Sequence, residues 1–438
     1  MGKSRFNTAI ALFLAALTAF TAACQETAPP GGAEGGETTE TSAGGDEGGL
    51  KLGSLTPTTG DLSSIGQNMP VAVQLAVDTI NACGGVNDMP VGLVQEDSQT
   101  DPTAGGAAMT KLAEVDKVAG VVGSFASSVS SAAVDVAVRN GVMQISPGST
   151  SPVFTERAAA GDFDGYWART APPDSYQAPA LAVLAQKQGF ERVATVVINN
   201  DYGVGFEQEF VKAFEKLGGT IVNKDNPVRY DPKAATLDSE AAAAFAGEPD
   251  AVLGVLYAET GSVLLKAAYE QGLSEGVTVL LTDGVYSPDF TQQVGTTPDG
   301  KSIIAGSLGT VPGADGVALA EFTTLWQEET GKEVSAFVPH SWDAAIAMML
   351  AAEKADVNTG EGIRDNLRAV TNEPGEEVSD PCEAIAMIRE GKEINYQGAS
   401  GNVEFDDNGD LAGSYDVWQV NEDGSLEVID TVSPVDAL

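Results

Sequence analysis

The sequence predicts an α/β protein of two doubly wound lobes, and three observations carry that expectation. Apolar, β-branched runs alternate with segments of helical period along most of the chain, the pattern of mostly parallel sheets covered by helices. The alternation comes in two series, divided at Pro172 and Pro173. Ser127, Thr150, Tyr202 and Asp283 each stand just past an apolar run, and ligands of open α/β sheets collect at the carboxyl ends of strands. Polar residues stationed there in both series predict one cleft built by two lobes.

The chain opens on an address. Lys3 and Arg5 precede an apolar stretch at residues 9–20 and the small residues Ala22, Ala23 and Cys24, which reads as an export signal. The stretch is too short to span a bilayer comfortably, and no later segment is long and apolar enough. The ending resembles a bacterial lipobox, with Cys24 as the lipid-bearing first mature residue, although Thr21 stands where an aliphatic residue is usual. Residues 1–23 are therefore expected to be signal peptide. Residues 24–49 are expected to be a lipid-anchored tether, since the Gly, Glu, Thr, Ser and Pro that follow Cys24 bury too little to offset the entropy of ordering.

The body, residues 50–438, is long enough for two ordinary domains. A formal net charge of -40, from 63 acidic against 23 basic residues, excludes a nucleic-acid partner, which would need clustered Lys and Arg. The same charge keeps an exported protein soluble. With Cys24 lipidated, Cys83 and Cys382 remain, and an oxidising compartment permits one long-range bridge between them. Cys83 equally continues the apolar stripe Ala72, Leu75, Ala76, Ile80 and fits a plain core role.

In the first series, strands are expected at 50–55, 91–95, 118–122 and 142–145, with Val129, Ala132, Ala133, Val136 and Ala137 on one helix face. The second series gives strands at 193–198, 220–222, 251–256 and 277–281. Phe206, Phe210, Ala213, Phe214 and Leu217 form one of its helical stripes, and Leu264, Ala267 and Ala268 begin another. Beyond them a strand is expected at 303–308, helices at 319–329, 341–354, 362–370 and 382–390, and short paired strands at the C-terminus. Asp406, Asp407, Asn408 and Gly409, after an apolar 403–405, have turn chemistry. They do not make a calcium loop, because Leu411 occupies the position that needs glycine.

Readings as an enzyme fail on order and inventory. Gly295 to Ser302 spells a phosphate-loop pattern, yet Pro298 lies inside it and a strand, not a helix, is expected next. His340 is the single histidine and no Gly-x-Ser-x-Gly elbow occurs, which leaves neither a catalytic triad nor a zinc set. No cofactor, metal or catalysis is expected.

Several stretches resemble the branched-chain amino-acid binding proteins of ABC importers: Thr59-Gly60, Ile80-Asn81-Ala82 with Gly84-Gly85-Val86, residues 123–131, Ile145-Ser146-Pro147-Gly148-Ser149-Thr150, Asn199-Asn200-Asp201-Tyr202-Gly203 and Thr282-Asp283-Gly284-Val285. They cover nearly all of the body in the right order. The resemblance implies a type I periplasmic binding fold, two α/β lobes joined by three crossings around a ligand cleft. Crossings near Ala171, Ile304 and Ser400 would divide the chain into a first lobe, 50–171 plus 305–400, and a second, 172–304 plus 401–438. The Cys382 segment would then lie in the lobe of Cys83, which makes their disulfide a specific candidate.

A free amino acid needs donors for its carboxylate, an anion for its ammonium and a side-chain pocket. Ser127 and Thr150 offer hydroxyls, the helix after Ser127 offers its positive end, Gly148 allows close approach, and Ser149 offers a hydroxyl or its backbone. Asp283 faces them from the second lobe as the acceptor for an ammonium, shorter than the Glu usual in the family. Tyr202 and Tyr257 are the candidate cleft aromatics, and Ile65 stands where relatives place an aromatic. The implied protein is a monomer anchored through its lipid on the extracytoplasmic side of a bacterial membrane. It would capture a neutral or branched-chain amino acid for an ABC permease; an amide, urea or small-carboxylate binder, or a ligand sensor, is the alternative.

Overall fold

The computed structural model describes residues 48–433, so the expected signal peptide, Cys24 and nearly all of the tether lie outside the described residues. Five strands make the first sheet: β1 (Lys51–Thr56), β2 (Gly92–Asp97), β3 (Gly120–Gly123), β4 (Met143–Ser146) and β5 (Trp167–Arg169). They run parallel in the order β2-β1-β3-β4-β5. The middle strands β3 and β4 are buried along their whole length; β3 reads as an unbroken run of glycine and valine, whereas β4 also buries Gln144 and Ser146.

The second sheet holds β6 (Arg192–Ile198), β7 (Thr220–Ile221), β8 (Val228–Tyr230), β9 (Ala251–Val255), β10 (Thr278–Leu281) and β11 (Leu308–Pro312). A separate small pair, β12 (Glu376–Val378) and β13 (Ile394–Tyr396), precedes β14 (Tyr415–Val420) and β15 (Leu426–Val432), which return to the second sheet as its antiparallel edge. The order is β15-β14-β11-β10-β9-β6-β7, with β8 also on β6.

Two of the expected boundaries move. Residues 303–306 form turns, with Gly306 at φ +84 and the Gly306 amide on the Val420 carbonyl. The strand begins only at Leu308, and because it pairs with both β10 and β14, the second crossing falls after Pro312 instead of near Ile304. At the third crossing, Val403, Phe405 and Leu411 pack in the first lobe's core, not as a strand. The Gly409 carbonyl accepts from the Arg169 amide at the end of β5, so the passage lies between Leu411 and β14 instead of near Ser400. The first passage is at 170–173, between β5 and the helix Asp174–Lys187.

The helix Val338–Ala355 is the spine of the first lobe and is buried nearly end to end. Its alanines at 344, 345, 347, 351 and 352 let it lie close against the helices Met69–Ala82 and Gly360–Thr371. Cys83 ends the helix Met69–Ala82 and meets Cys382 of the helix Pro381–Arg389 with Cα atoms 5.5 Å apart, a separation suited to a disulfide. No helix among the described residues is long and apolar enough to cross a membrane.

Candidate functional site

The first-lobe wall of the cleft is the loop after β4. Every polar group of Ser149 is engaged within the lobe: its hydroxyl lies 2.8 Å from Ser130 Oγ and 3.0 Å from the Phe125 carbonyl, its N–H donates to Ser146 Oγ, and its carbonyl accepts from Arg169. These contacts fix the loop's shape in the ligand-free protein. At Gly148 a Cβ would lie 2.1 Å from the Phe125 ring, so the missing side chain makes room for Phe125 and keeps the loop backbone close to it.

Thr150 is different: it is fully buried and its hydroxyl has no hydrogen-bond partner among the described residues. Ser127 begins the helix Ser127–Arg139, and its Oγ accepts from the Ser151 amide at 3.3 Å, which leaves its O–H able to donate.

Arg169, which the sequence reading overlooked, holds this wall together. Fully buried, it donates from Nε to Asp410 at 2.7 Å, from Nη1 to the Ser149 and Ser151 carbonyls at 2.9 Å, and from Nη2 to Thr155 Oγ1 at 2.8 Å. Its charge is matched by Asp410, and four of its five N–H donors are occupied.

The second-lobe wall starts at the end of β10. Asp283 opens a 3-10 turn and is buried, and its Oδ1 accepts from Gln177 Nε2 and from the Tyr202 hydroxyl, each at 2.9 Å. Gly284 makes that turn possible, because a Cβ on it would stand 2.4 Å from the Leu256 carbonyl. The Tyr202 ring stacks on Tyr257 with centroids 5.8 Å apart and planes within 13°. The Tyr257 hydroxyl is buried, with the Asn200 side chain as its polar neighbour.

Between the walls sits a second acid that the sequence reading also passed over. Asp174 begins the helix after Pro172-Pro173, is fully buried, and donates its N–H to the Thr150 carbonyl at 2.8 Å. Neither of its carboxylate oxygens has a hydrogen-bond partner, although the Thr150 side chain lies beside it. Burial first, and then the negative charge of Asp283, push the Asp174 carboxyl well above the usual range. Burial also raises Asp283, against the opposing hydrogen bonds from Tyr202 and Gln177. An acid in the first turn of a helix behind a Pro-Pro pair was the available signal, but the prolines were read only as a divider.

A cavity of about 600 Å³ opens at the rim of the cleft, lined by Asp61, Asp101, Asn200, Lys233, Tyr257 and Thr260 among others. Tyr257 belongs to both rim and interior; Thr150 and Asp283 do not line it. An apolar patch with Ile65, Met69, Phe125 and Phe337 belongs to the same buried cluster as Tyr202 and Tyr257, and Phe125 meets Phe337 edge-on at 4.8 Å.

His340 is buried with Nδ1 unpartnered, and burial pulls its pKa down to about 3, so it stays neutral and is no general base. At the phosphate-loop look-alike, Thr296 bridges Ser302 and the helix Pro288–Val294 comes before the loop instead of after it. Among the described residues no group of three metal-ligating side chains occurs.

Two parallel-sheet lobes, crossed three times by the chain and enclosing a polar, acid-bearing cleft, define a solute-binding protein of the type I periplasmic class. Residues 68–423 match the family model described as the receptor family ligand binding region, and the chain belongs to that family. It is 26% identical over 367 residues to the chemotactic signal transduction system substrate-binding protein BasB of Halobacterium salinarum, covering 81% of this chain and 83% of that one. It is 28% identical over 382 residues to the Leu/Ile/Val-binding protein homolog 2 of Brucella abortus, covering 86% and 92%. Among solved structures, the leucine binding protein LivK of Thermotoga maritima superposes with a TM-score of 0.73 at 24% identity, over 88% of this chain and 99% of that one.

Proposed function

We propose that this protein captures a neutral, branched-chain-type amino acid between its lobes and delivers it to an ABC permease, without chemistry of its own. The observation that carries the reading is the pair Asp174 and Asp283, two buried carboxyl groups whose one buried cationic neighbour among the described residues, Arg169, is already matched by Asp410. A buried anion without a cation is costly. A ligand ammonium brings three N–H donors and a positive charge to a place where both acids lack a cation. Its carboxylate would meet the hydroxyls of Thr150 and Ser127 and the positive end of the helix Ser127–Arg139. The cluster of Ile65, Phe125 and Phe337 would receive an apolar side chain.

The same acids argue against a simple carboxylate ligand, which would be repelled by two buried negative charges and would supply no cation. They leave open who receives the ligand. The likeness to a chemotactic binding protein favours, as a second reading, delivery to a signalling partner through the same site.

Export, a lipid on Cys24, a monomeric state and a Cys83–Cys382 bridge complete the proposal. An oxidising compartment suits the facing cysteines, and the acyl anchor would hold the tethered body near its membrane partner.

A thermal-shift screen of the refolded, ligand-stripped protein tests the reading. Leucine, isoleucine and valine at about a hundred times their dissociation constant should add about 2.7 kcal/mol of stability, and their N-acetyl forms should add none. Stabilisation by N-acetyl forms or by plain carboxylates, with none from amino acids, would overturn the ammonium site.

A further inference from the structure

The helix Ala258–Glu270 in the second lobe begins at Tyr257, whose side chain supplies no capping hydrogen bond. Its first amides find their acceptor on the opposite lobe. Asp61 Oδ1 accepts from the Glu259 amide at 2.6 Å and the Thr260 amide at 3.1 Å, and Asp61 Oδ2 accepts from Thr260 Oγ1 at 2.7 Å. An aspartate in this position does what an N-cap residue does, except that it comes from 198 residues away and across the cleft.

The loop that carries Asp61 is held firmly within its own lobe. Thr58 and Thr59 donate backbone N–H groups to Asp97 at 3.0 and 3.2 Å, and Leu62 donates to Thr100 Oγ1 at 3.2 Å. Gly60, at φ +85, packs so tightly that a Cβ would lie 2.2 Å from the Gln99 carbonyl. Asp61 is thus a rigidly presented acceptor.

Its contact also reaches inward. Thr260 Oγ1 lies 3.2 Å from the Tyr230 hydroxyl, which accepts from the Tyr257 amide at 3.3 Å, and the Tyr257 ring stacks on Tyr202 beside Asp283. Another ion pair across the rim, Lys233 with Asp101 at 3.1 Å, involves a lysine 78% exposed, a kind of pair worth little.

We propose that Asp61 is the closure latch of this protein: by capping the helix Ala258–Glu270 from the other lobe, it holds the cleft shut and sets the position of Tyr257. The latch does not depend on which solute binds, so it stands or falls apart from the function proposed above.

Amide hydrogen exchange on the ligand-free mature protein tests it, read at Glu259 and Thr260 in wild type, Asp61→Ala, Asp61→Asn and Thr260→Val. Wild type should protect both amides at least about tenfold more than Asp61→Ala, because only the latch satisfies them. Asp61→Asn, which keeps an acceptor but loses the charge, should fall between. Thr260→Val breaks the contact from the second lobe and should speed exchange at Glu259 even if Asp61→Ala folds poorly. Rapid exchange at both amides in wild type, or equal exchange in wild type and the variants, would overturn the latch.

Discussion

The two walls of the cleft are built on opposite principles. On the first, the buried charge is balanced and nearly every polar group is occupied: Arg169 meets Asp410 and two carbonyls, and Ser149 engages all of its donors and acceptors within the lobe. On the second, and at the crossing that joins them, Asp174 and Asp283 stand together without a cation. Thr150 is a gap on the first wall, a buried hydroxyl beside Asp174. A wall that satisfies itself is scaffold, whereas unmet buried charge marks where something else must arrive.

Breaking the balanced wall should have the largest effect. Arg169→Met removes the cation from a fully buried pair and leaves Asp410 uncompensated, a change that typically costs about 3–5 kcal/mol of folding stability. Chemical denaturation should show the midpoint falling by that equivalent. A midpoint near wild type would mean that the Arg169–Asp410 pair does not hold the first wall together in the way described.

The unbalanced wall should respond in the reverse sense. Asp283→Asn relieves the repulsion with Asp174, so the ligand-free protein should be at least as stable as wild type. The same change should weaken amino-acid binding by about 2–5 kcal/mol, the usual loss when one partner of a buried charge pair is removed. Calorimetric titration and thermal unfolding of one preparation read both effects. If stability and affinity fall together, Asp283 is part of the scaffold and the contrast between the walls fails.

Thr150→Val, which removes a buried hydroxyl whose polar neighbour is Asp174, should disturb folding far less than Arg169→Met and weaken binding by about 1–3 kcal/mol through the stranded ligand carboxylate. Unaltered binding would assign the carboxylate to Ser127 and backbone amides alone.

What could be read from the sequence follows the same division. The strands at 192–198 and 251–255 were legible because burial on both faces writes itself as a valine-rich run, and those at 51–56 and 143–146 because short apolar segments end at turn residues. The helix Asp174–Lys187 was not, since Pro179 interrupts it and alanines and leucine are buried on most of its faces, which removes the helical period. With that helix went Asp174. Residues 303–308 imitated a strand because Ile304 is buried as a core-packed turn, and only the hydrogen bonds of Ser302 and Gly306 to the β14 region distinguish the two. Thr150, Tyr202 and Asp283 were legible from their places at strand ends. How Ser149 and Gly148 pack, and that Arg169 supports their loop, depends on contacts between residues some 20 positions apart, which no local pattern contains.

The pH response gives the smallest effect and the finest separation of the walls. Asp174 and Asp283 both lie above the ordinary carboxylate range in the folded protein, so protonation favours the empty cleft. Their contribution to folding stability is fully present below the unfolded-state value of about 4 and is lost as pH rises through the raised folded values. Binding runs the other way, because an ammonium is accepted by the ionised acids. Affinity for a neutral amino acid should therefore rise with pH above about 4, by up to about tenfold per unit for each proton released, and level off once both acids are ionised without ligand. Asp283→Asn should flatten the slope, and Thr150→Val should shift the curve without changing its shape. A wild-type affinity independent of pH between about 4 and 7 would mean that the acids are already ionised in the empty cleft, and that the charge imbalance between the two walls is tolerated instead of waiting for a ligand.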